Sequence, residues 1–374
     1  MHSDSQLAPA PASIALLRLS AIGDVCHTVP VLRALQDRYP EAPITWIIGR
    51  LEASLIGDIK GVQFISFNKG DGLAAYRQLR RTLSEQRFDA LLHMQVALRA
   101  SAASLMIPAR RRIGFDRQRA RDFQWLFSTE KIPFEPRQHV MDGLLAFASH
   151  LGADTSRPRW DIPIPDRDAA FAREQIPDSR PTLILSPCSS QRTRNFRDWR
   201  AERYAAVIDH AAEQHGLAAL ITGGPSERER VMANDIARHC RHQAGNWVGR
   251  TSLKQLFALI TRATAVICPD SGPAHMGTAA GTPVLGLYAS SNPDRTGPYY
   301  SRQWCVNRYP EALQAETGKT VDQVRWGTRV RDPKVMERIT VADVIEKLDA
   351  LMAHKIENPG TTEDAEDTEK KSNN

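Results

Sequence analysis

The sequence predicts an α/β protein built of two successive units, each a parallel sheet with helices on both faces. Three observations carry this. Short apolar runs alternate with segments of helical periodicity, the pattern of strands joined by crossover helices. The alternation breaks at a Pro- and Asp-rich stretch, "ADTSRPRWDIPIPDRD", and then restarts. A length of 374 residues suits two domains better than one or three.

In the first half, 14–20, 44–49, 63–67 and 88–95 read as short buried strands, with helical patterns over 25–38 and 74–86. "HVMDGLLAFASHLG", 139–152, reads as a helix closed by glycine. After the break, strands are expected at 182–186, 217–222, 265–268 and 284–289. Helices are expected at 199–214, 227–240, 253–262 and 274–280. Beyond Tyr300 the pattern weakens, and 310–338 carries no clear assignment. A last helix over 341–353 puts apolar residues at 341, 344, 345, 348, 351 and 352 on one face. The boundaries that follow are a flexible N-terminus over 1–13, a first domain over 14–165, a second over 166–355 and a polar, disordered tail over 356–374. Two such units would leave a cleft, and sheets of this kind bind ligands at the carboxyl ends of their strands. The loops after strands are therefore where chemistry is sought.

Composition narrows the partners. No run reaches the eighteen or so apolar residues of a membrane span. "MHSDSQLAPAPAS" has neither the basic nor the apolar region of a secretory signal. Five scattered cysteines, never spaced as CxxC, suit a reducing cytoplasm and argue against structural zinc. The net charge is +6, yet the tail from Glu357 holds six acidic residues and two lysines, so the body before it is more basic still. A basic body suits an anionic partner: a nucleotide, a phosphorylated glycolipid, a membrane surface or nucleic acid.

"ETGKT", 316–320, imitates a phosphate loop, but the position that needs its first glycine is Leu313 and no strand precedes it. No GxGxxG follows a strand either. The strongest stretch is "AVICPDSGPAHMGTAAGTPVLGLYASSNP", 265–293. There a strand ends at Asp270 and a tight turn opens a short helix, whose amides at Ser271 and Gly272 suit a phosphate. Asp270 itself suits sugar hydroxyls, although Asp270 and Ser271 acting only as helix caps would read the same way. "LAALITGGPSERERV", 217–231, is a second strand, glycine turn and helix; Glu227 or Glu229 could accept a ribose's two hydroxyls, or only favour the helix dipole. "SPCSSQRTRNF", 186–196, offers the hydroxyls of Ser189 and Ser190 and the guanidinium forks of Arg192 and Arg194. Ribose, phosphate and sugar partners at three strand ends of one domain point to a nucleotide-sugar.

"LRLSAIGDVCHTVPVLRAL" at the front and "CPDSGPAHMGTAAGTPVLGLY" at the back resemble the lipopolysaccharide heptosyltransferases, glycosyltransferase family 9, and among them heptosyltransferase I most. The resemblance covers about 14–300 with the motifs in order. It implies a GT-B fold of two Rossmann-like domains facing each other across a cleft, with a final helix that commonly crosses back onto the first. It implies an inverting transfer of heptose from ADP-heptose to the Kdo or inner-core region of lipopolysaccharide, with no cofactor and no essential metal. The partners implied are the nucleotide-sugar, an anionic glycolipid of the Kdo–lipid A type and, transiently, the inner membrane's cytoplasmic face, without nucleic acid.

Residue by residue, Asp24 matches the family's proposed base. Ser189, Ser190, Arg194, Glu227, Asp270, Ser271, Gly272 and His275 match donor-binding positions, with Arg194 standing where heptosyltransferase I has lysine. Arg121 aligns with an acceptor-binding arginine, and Lys69 is the cation of a shortened acceptor-side loop. The arginine-dense stretch 109–125 suits acidic Kdo sugars and phosphates, or is simply a solvated basic face. Asp24, at a helix start, is either an N-cap or a modest base that acts as the attacking hydroxyl becomes acidic. A related transferase with another acceptor or donor, a sugar-nucleotide epimerase and an RNA-binding protein are the competing readings.

Overall fold

A computed structural model describes residues 10–189 and 196–357. It divides into two compact units: the first runs to Pro136 and resumes over Val140–Asp161, and the second takes Arg137–His139 and the chain from Ile162.

The first unit contains, in order, β1 (Ile14–Leu17), α1 (Ile22–Arg38), β2 (Ile44–Gly49), α2 (Arg50–Ile56), β3 (Val62–Phe67), α3 (Leu73–Thr82), β4 (Phe88–His93), α4 (Leu98–Ser104), β5 (Ala109–Gly114), β6 (Glu130–Lys131) and α5 (Val140–His150). The second contains α6 (Asp166–Gln175), β7 (Thr182–Leu185), α7 (Ala201–His215), β8 (Ala218–Ile221), α8 (Glu227–His239), β9 (Ala244–Asn246), α9 (Leu253–Arg262), β10 (Ala265–Pro269), α10 (Gly272–Ala280), β11 (Val284–Tyr288), α11 (Pro293–Thr296), β12 (Val306–Asn307), α12 (Tyr309–Thr317) and α13 (Val341–Glu357).

Both sheets are parallel and six-stranded, ordered β3-β2-β1-β4-β5-β6 and β12-β11-β10-β7-β8-β9. Counted within each unit, the two orders are the same 3-2-1-4-5-6. The chain reverses its winding between the first and fourth strands, β1 beside β4 and β7 beside β10, and a crevice opens at the carboxyl ends there. Ile14 aligns with Ile44 on one side and Ala90 on the other, and all four residues of β1 are fully buried. Such strands, covered on both faces, read as continuous apolar runs.

Several expectations are corrected. The helix expected from Val25 begins at Ile22, because β1 ends at Leu17 and leaves a short turn. The arginine-dense stretch contains a strand, β5, whose Arg111 meets both carboxylate oxygens of Glu130 at 2.7 and 2.8 Å. Arg112 donates to the carbonyls of Ser104 and Ile107, each at 2.6 Å. Those two arginines hold the sheet edge. The unassigned 310–338 contains most of α12, with Pro310 near its start where no amide partner is needed, and sends Val330, Val335 and Met336 into the second core. The last helix, α13, packs on α7 and sends Val344, Leu348 and Leu351 into the core of the second unit, which also holds Tyr204 and Ile208 of α7.

Candidate active site

In the first unit the turn after β1 is pinned by both neighbouring strands. The Leu19 amide donates to Gln95 Oε1 at 2.7 Å, past the end of β4, and the Gly49 amide of β2 donates to the Leu19 carbonyl at 2.9 Å. Only glycine fits at 49: a Cβ there would lie 2.4 Å from the Leu19 oxygen and 2.3 Å from Glu52 Oε2. Arg18 reaches across to the Met94 carbonyl and forms an ion pair with Asp24.

Asp24 is the third residue of α1, and Ala21 holds the N-cap position. Alanine has no oxygen with which to cap. Asp24 instead accepts the Ala21 amide at 3.2 Å, the return half of a capping box, so its expected N-cap role is corrected. Its side chain stays 32% exposed, open to a ligand. A second carboxylate, Glu52, is buried in the electrostatic range of Asp24, Lys69 and Arg99; burial raises its pKa, against the pull of the two cations. Sequence reading missed Glu52, which carries no motif. Lys69 is exposed in a 3-10 turn after β3, and Arg121 is exposed in the loop after β5.

In the second unit Ser189 follows β7. Its amide and hydroxyl both bond Asp198 Oδ1, at 2.9 and 3.1 Å, while Arg228 pairs with Asp198 and donates to the Ser189 carbonyl. Ser190, Arg192 and Arg194 lie outside the described residues. After β8, Glu229 accepts the Gly224 amide at 2.8 Å and the Ser226 hydroxyl, closing the turn. Glu227 projects with a side chain 81% exposed, 3.6 Å from Arg230. Of the two glutamates, Glu227 is the one open to a ligand.

After β10, Asp270 is nearly buried. Its Oδ2 receives Arg197 at 2.9 Å and the Ser291 hydroxyl at 2.8 Å. Ser271 occupies the N-cap of α10, yet its hydroxyl turns back to the Pro269 carbonyl at 3.1 Å and does not cap. The helix opening at Gly272 therefore keeps its positive end for something else. His275 lies one turn in, close to buried. His139 sits near it with Nε2 donating to the Gly297 carbonyl at 2.9 Å, and burial pushes its pKa down to about 3. The positions of Arg197, Asp198, Arg228 and His139 depend on long-range pairing, which residue spacing does not reveal.

Among the described residues, one group brings three possible metal ligands together, His210, His215 and Asp349, and there both Nε2 atoms hydrogen-bond Asp349 Oδ1, at 2.7 and 2.6 Å. It joins α7 to α13, and His215 stands just before β8 begins, at the opposite strand ends from the loops after β7, β8 and β10. No helix among the described residues is long and apolar enough to cross a membrane.

Residues 76–324 match the family described as "Glycosyltransferase family 9 (heptosyltransferase)". The lipopolysaccharide core heptosyltransferase OpsX of Haemophilus influenzae is 41% identical over 344 residues, 91% of this chain and 97% of that protein. Among solved structures, the glycosyl transferase family 9 protein of Veillonella parvula has a TM-score of 0.75 at 22% identity, over 91% of this chain and 97% of its own. E. coli heptosyltransferase WaaC with ADP has a TM-score of 0.71 at 18% identity, over 91% and 99%. These likenesses give the chain the GT-B fold. With two doubly wound units, a family match over residues 76–324, and a relative alike along nearly its whole length, this chain belongs to glycosyltransferase family 9, the heptosyltransferases.

Proposed function

We propose that this enzyme transfers heptose from ADP-heptose to the Kdo or inner-core region of lipopolysaccharide, with inversion at the anomeric carbon. One observation carries the reading: in a family 9 chain, the switch point of the first unit presents an accessible carboxylate, and that of the second presents an uncapped helix N-terminus. The named activity of OpsX, a core heptosyltransferase, and of WaaC, solved with ADP, supports the substrate class.

In this mechanism the second unit holds the donor. The amides at Ser271–Gly272, with Arg194, take the diphosphate, and Glu227 takes the ribose hydroxyls. Asp270, held by Arg197 and Ser291, orients the turn and faces sugar hydroxyls with the oxygen those two leave open. Departure of ADP leaves oxocarbenium character on the heptose. Asp24 accepts the acceptor's hydroxyl proton as the new bond forms, and Arg18 pairs with its carboxylate. Protein donors meet the leaving diphosphate's charge, so the proposal includes no metal. The acceptor is lipid-linked, which places the enzyme at the cytoplasmic face of the inner membrane, with Lys69 and Arg121 on its anionic sugars.

The test is incubation of purified enzyme with ADP-heptose and Kdo₂–lipid A, followed by mass spectrometry. The expected product is heavier by one heptose residue. ADP-heptose altered without any acceptor would replace the transferase reading with an epimerase, and an inert donor beside an active different nucleotide-sugar would replace the donor.

A further inference from the structure

Exposed large apolar side chains are unevenly shared: among the described residues seven lie in the first unit, whereas the second has only Val231 and Ile356. Four of the seven, Leu73, Leu98, Phe123 and Leu126, are 57–72% exposed. They leave the carboxyl ends of three strands, β3, β4 and β5.

Hydrogen bonds tie together the segments that carry these four. Tyr76, one turn after Leu73, donates its hydroxyl to the Arg99 carbonyl at 3.4 Å, joining α3 to the start of α4. The Leu98 amide donates to Asp122 Oδ2 at 3.3 Å, joining α4 to the loop that carries Phe123. Asp122 and Phe123 both adopt the left-handed region, with φ of 50° and 58°. That conformation is strained for a bulky residue, and here it leaves an aromatic ring in solvent.

Cations frame the patch. Leu73, Arg77, Arg80 and Arg81 share one stripe of α3, and its three arginines line a shallow open depression with Ser84. Arg99 and Arg117 are exposed beside the leucines, Arg117 lying over the Trp125 ring. Apolar tips with arginines alongside, on α4, in the loop after β5 and further along α3, match an anionic bilayer, where side chains enter the acyl boundary and guanidinium groups meet phosphates.

We propose that this face docks the enzyme on an anionic lipid surface, Phe123 and Leu126 entering it and the α3 arginines binding headgroup phosphates. The proposal rests on the lipid-linked acceptor argued above and identifies the surface that reaches it. Because the patch lies at the same strand ends as Asp24, the bilayer would present the acceptor's sugars at the carboxylate's end of the sheet.

Flotation with vesicles tests it. The full chain should float with phosphatidylethanolamine–phosphatidylglycerol vesicles and not with phosphatidylcholine, and added salt should weaken binding. Phe123→Asn with Leu126→Gln, asparagine being tolerant of the left-handed backbone, should lower partitioning about tenfold or more. Arg80→Glu with Arg81→Glu should do the same and flatten the salt dependence. Val231→Ser should change nothing, and melting curves should show each variant folded. Equal partitioning on both lipids, or unchanged binding by the folded Phe123/Leu126 variant, overturns the proposal. So does an RNA affinity that exceeds lipid affinity and ignores the apolar pair. Heptosyl transfer to detergent-dispersed Kdo₂–lipid A separates the two questions: transfer without flotation removes the docking face alone, and flotation without transfer removes the activity alone.

Discussion

The two units carry the same clasp in two environments. In each, an arginine from the segment after the first strand reaches the end of the fourth: Arg18 to the Met94 carbonyl, and Arg197 to the Asp270 carbonyl. Each arginine also pairs with an aspartate, Asp24 or Asp270. In each, one carboxylate oxygen, Oδ2, already holds two partners, but the Asp24 side chain is 32% exposed whereas that of Asp270 is 8% exposed. An accessible carboxylate can exchange a proton with a substrate. A buried, paired one fixes a loop and is costly to break. On the proposed mechanism, the exposed pairing serves chemistry in the first unit, and its buried counterpart chiefly fixes position in the second.

Removing one charge from each clasp should affect the two units in opposite ways. Asp24→Asn should lower kcat by roughly 10²–10⁴-fold while reducing stability by no more than about 1 kcal/mol. Near-normal turnover would make Asp24 a structural partner of Arg18 and nothing more. Asp270→Asn should show the converse, a stability loss of about 3–5 kcal/mol from stranding the buried Arg197, read by denaturant unfolding. A loss below about 1 kcal/mol would erase the distinction between the clasps.

Acid titration probes each unit through one buried histidine. Burial lowers the pKa of His93 to about 4 and that of His139 to about 3. Below pH 6.5 the unfolded chain gains protons that these folded side chains refuse, so stability present above pH 6.5 falls as pH drops toward 4 and 3. The slope is at most about 1.4 kcal/mol per pH unit for each histidine. His139→Gln, which keeps a donor for the Gly297 carbonyl, should flatten the curve; an unaltered slope would show that His139 is protonated when folded. The smallest effect is expected at Arg121. Being exposed, Arg121→Ala should raise the acceptor KM by about threefold to tenfold with kcat and ADP affinity unchanged. Weakened ADP binding in steady-state and calorimetric measurements would move Arg121 out of the acceptor region.

The sheets were legible because their strands are covered on both faces, so Ile44–Gly49 and Val284–Tyr288 stand out as apolar runs. β5 was not, since "ARRRIG" spends two of its three arginines on Glu130 and on carbonyl oxygens, an arrangement that looks like a solvated surface until the partners are known. Within the candidate site, the glycine turns and Asp24 were visible as local patterns. Glu52, Arg197, Asp198 and Arg228 were not, because their roles come from partners brought together by folding. Local spacing also could not show that Glu229 is held by the Gly224 amide and the Ser226 hydroxyl while Glu227 stays exposed.

The excursion of 137–139 into the second unit imposes a schedule on synthesis. Besides the His139 bond to Gly297, the Arg137 guanidinium donates to the Val321 and Asp322 carbonyls, and the Trp326 indole donates to the Gln138 carbonyl. At about 5–20 residues per second, a ribosome needs about 8–30 s to travel from His139 to Gly297. Through that interval the nascent first unit is interrupted by three residues whose partners do not yet exist. A gene truncated after the first unit would leave them without partners permanently, so the two halves of this enzyme cannot be separated cleanly by a single cut in the chain.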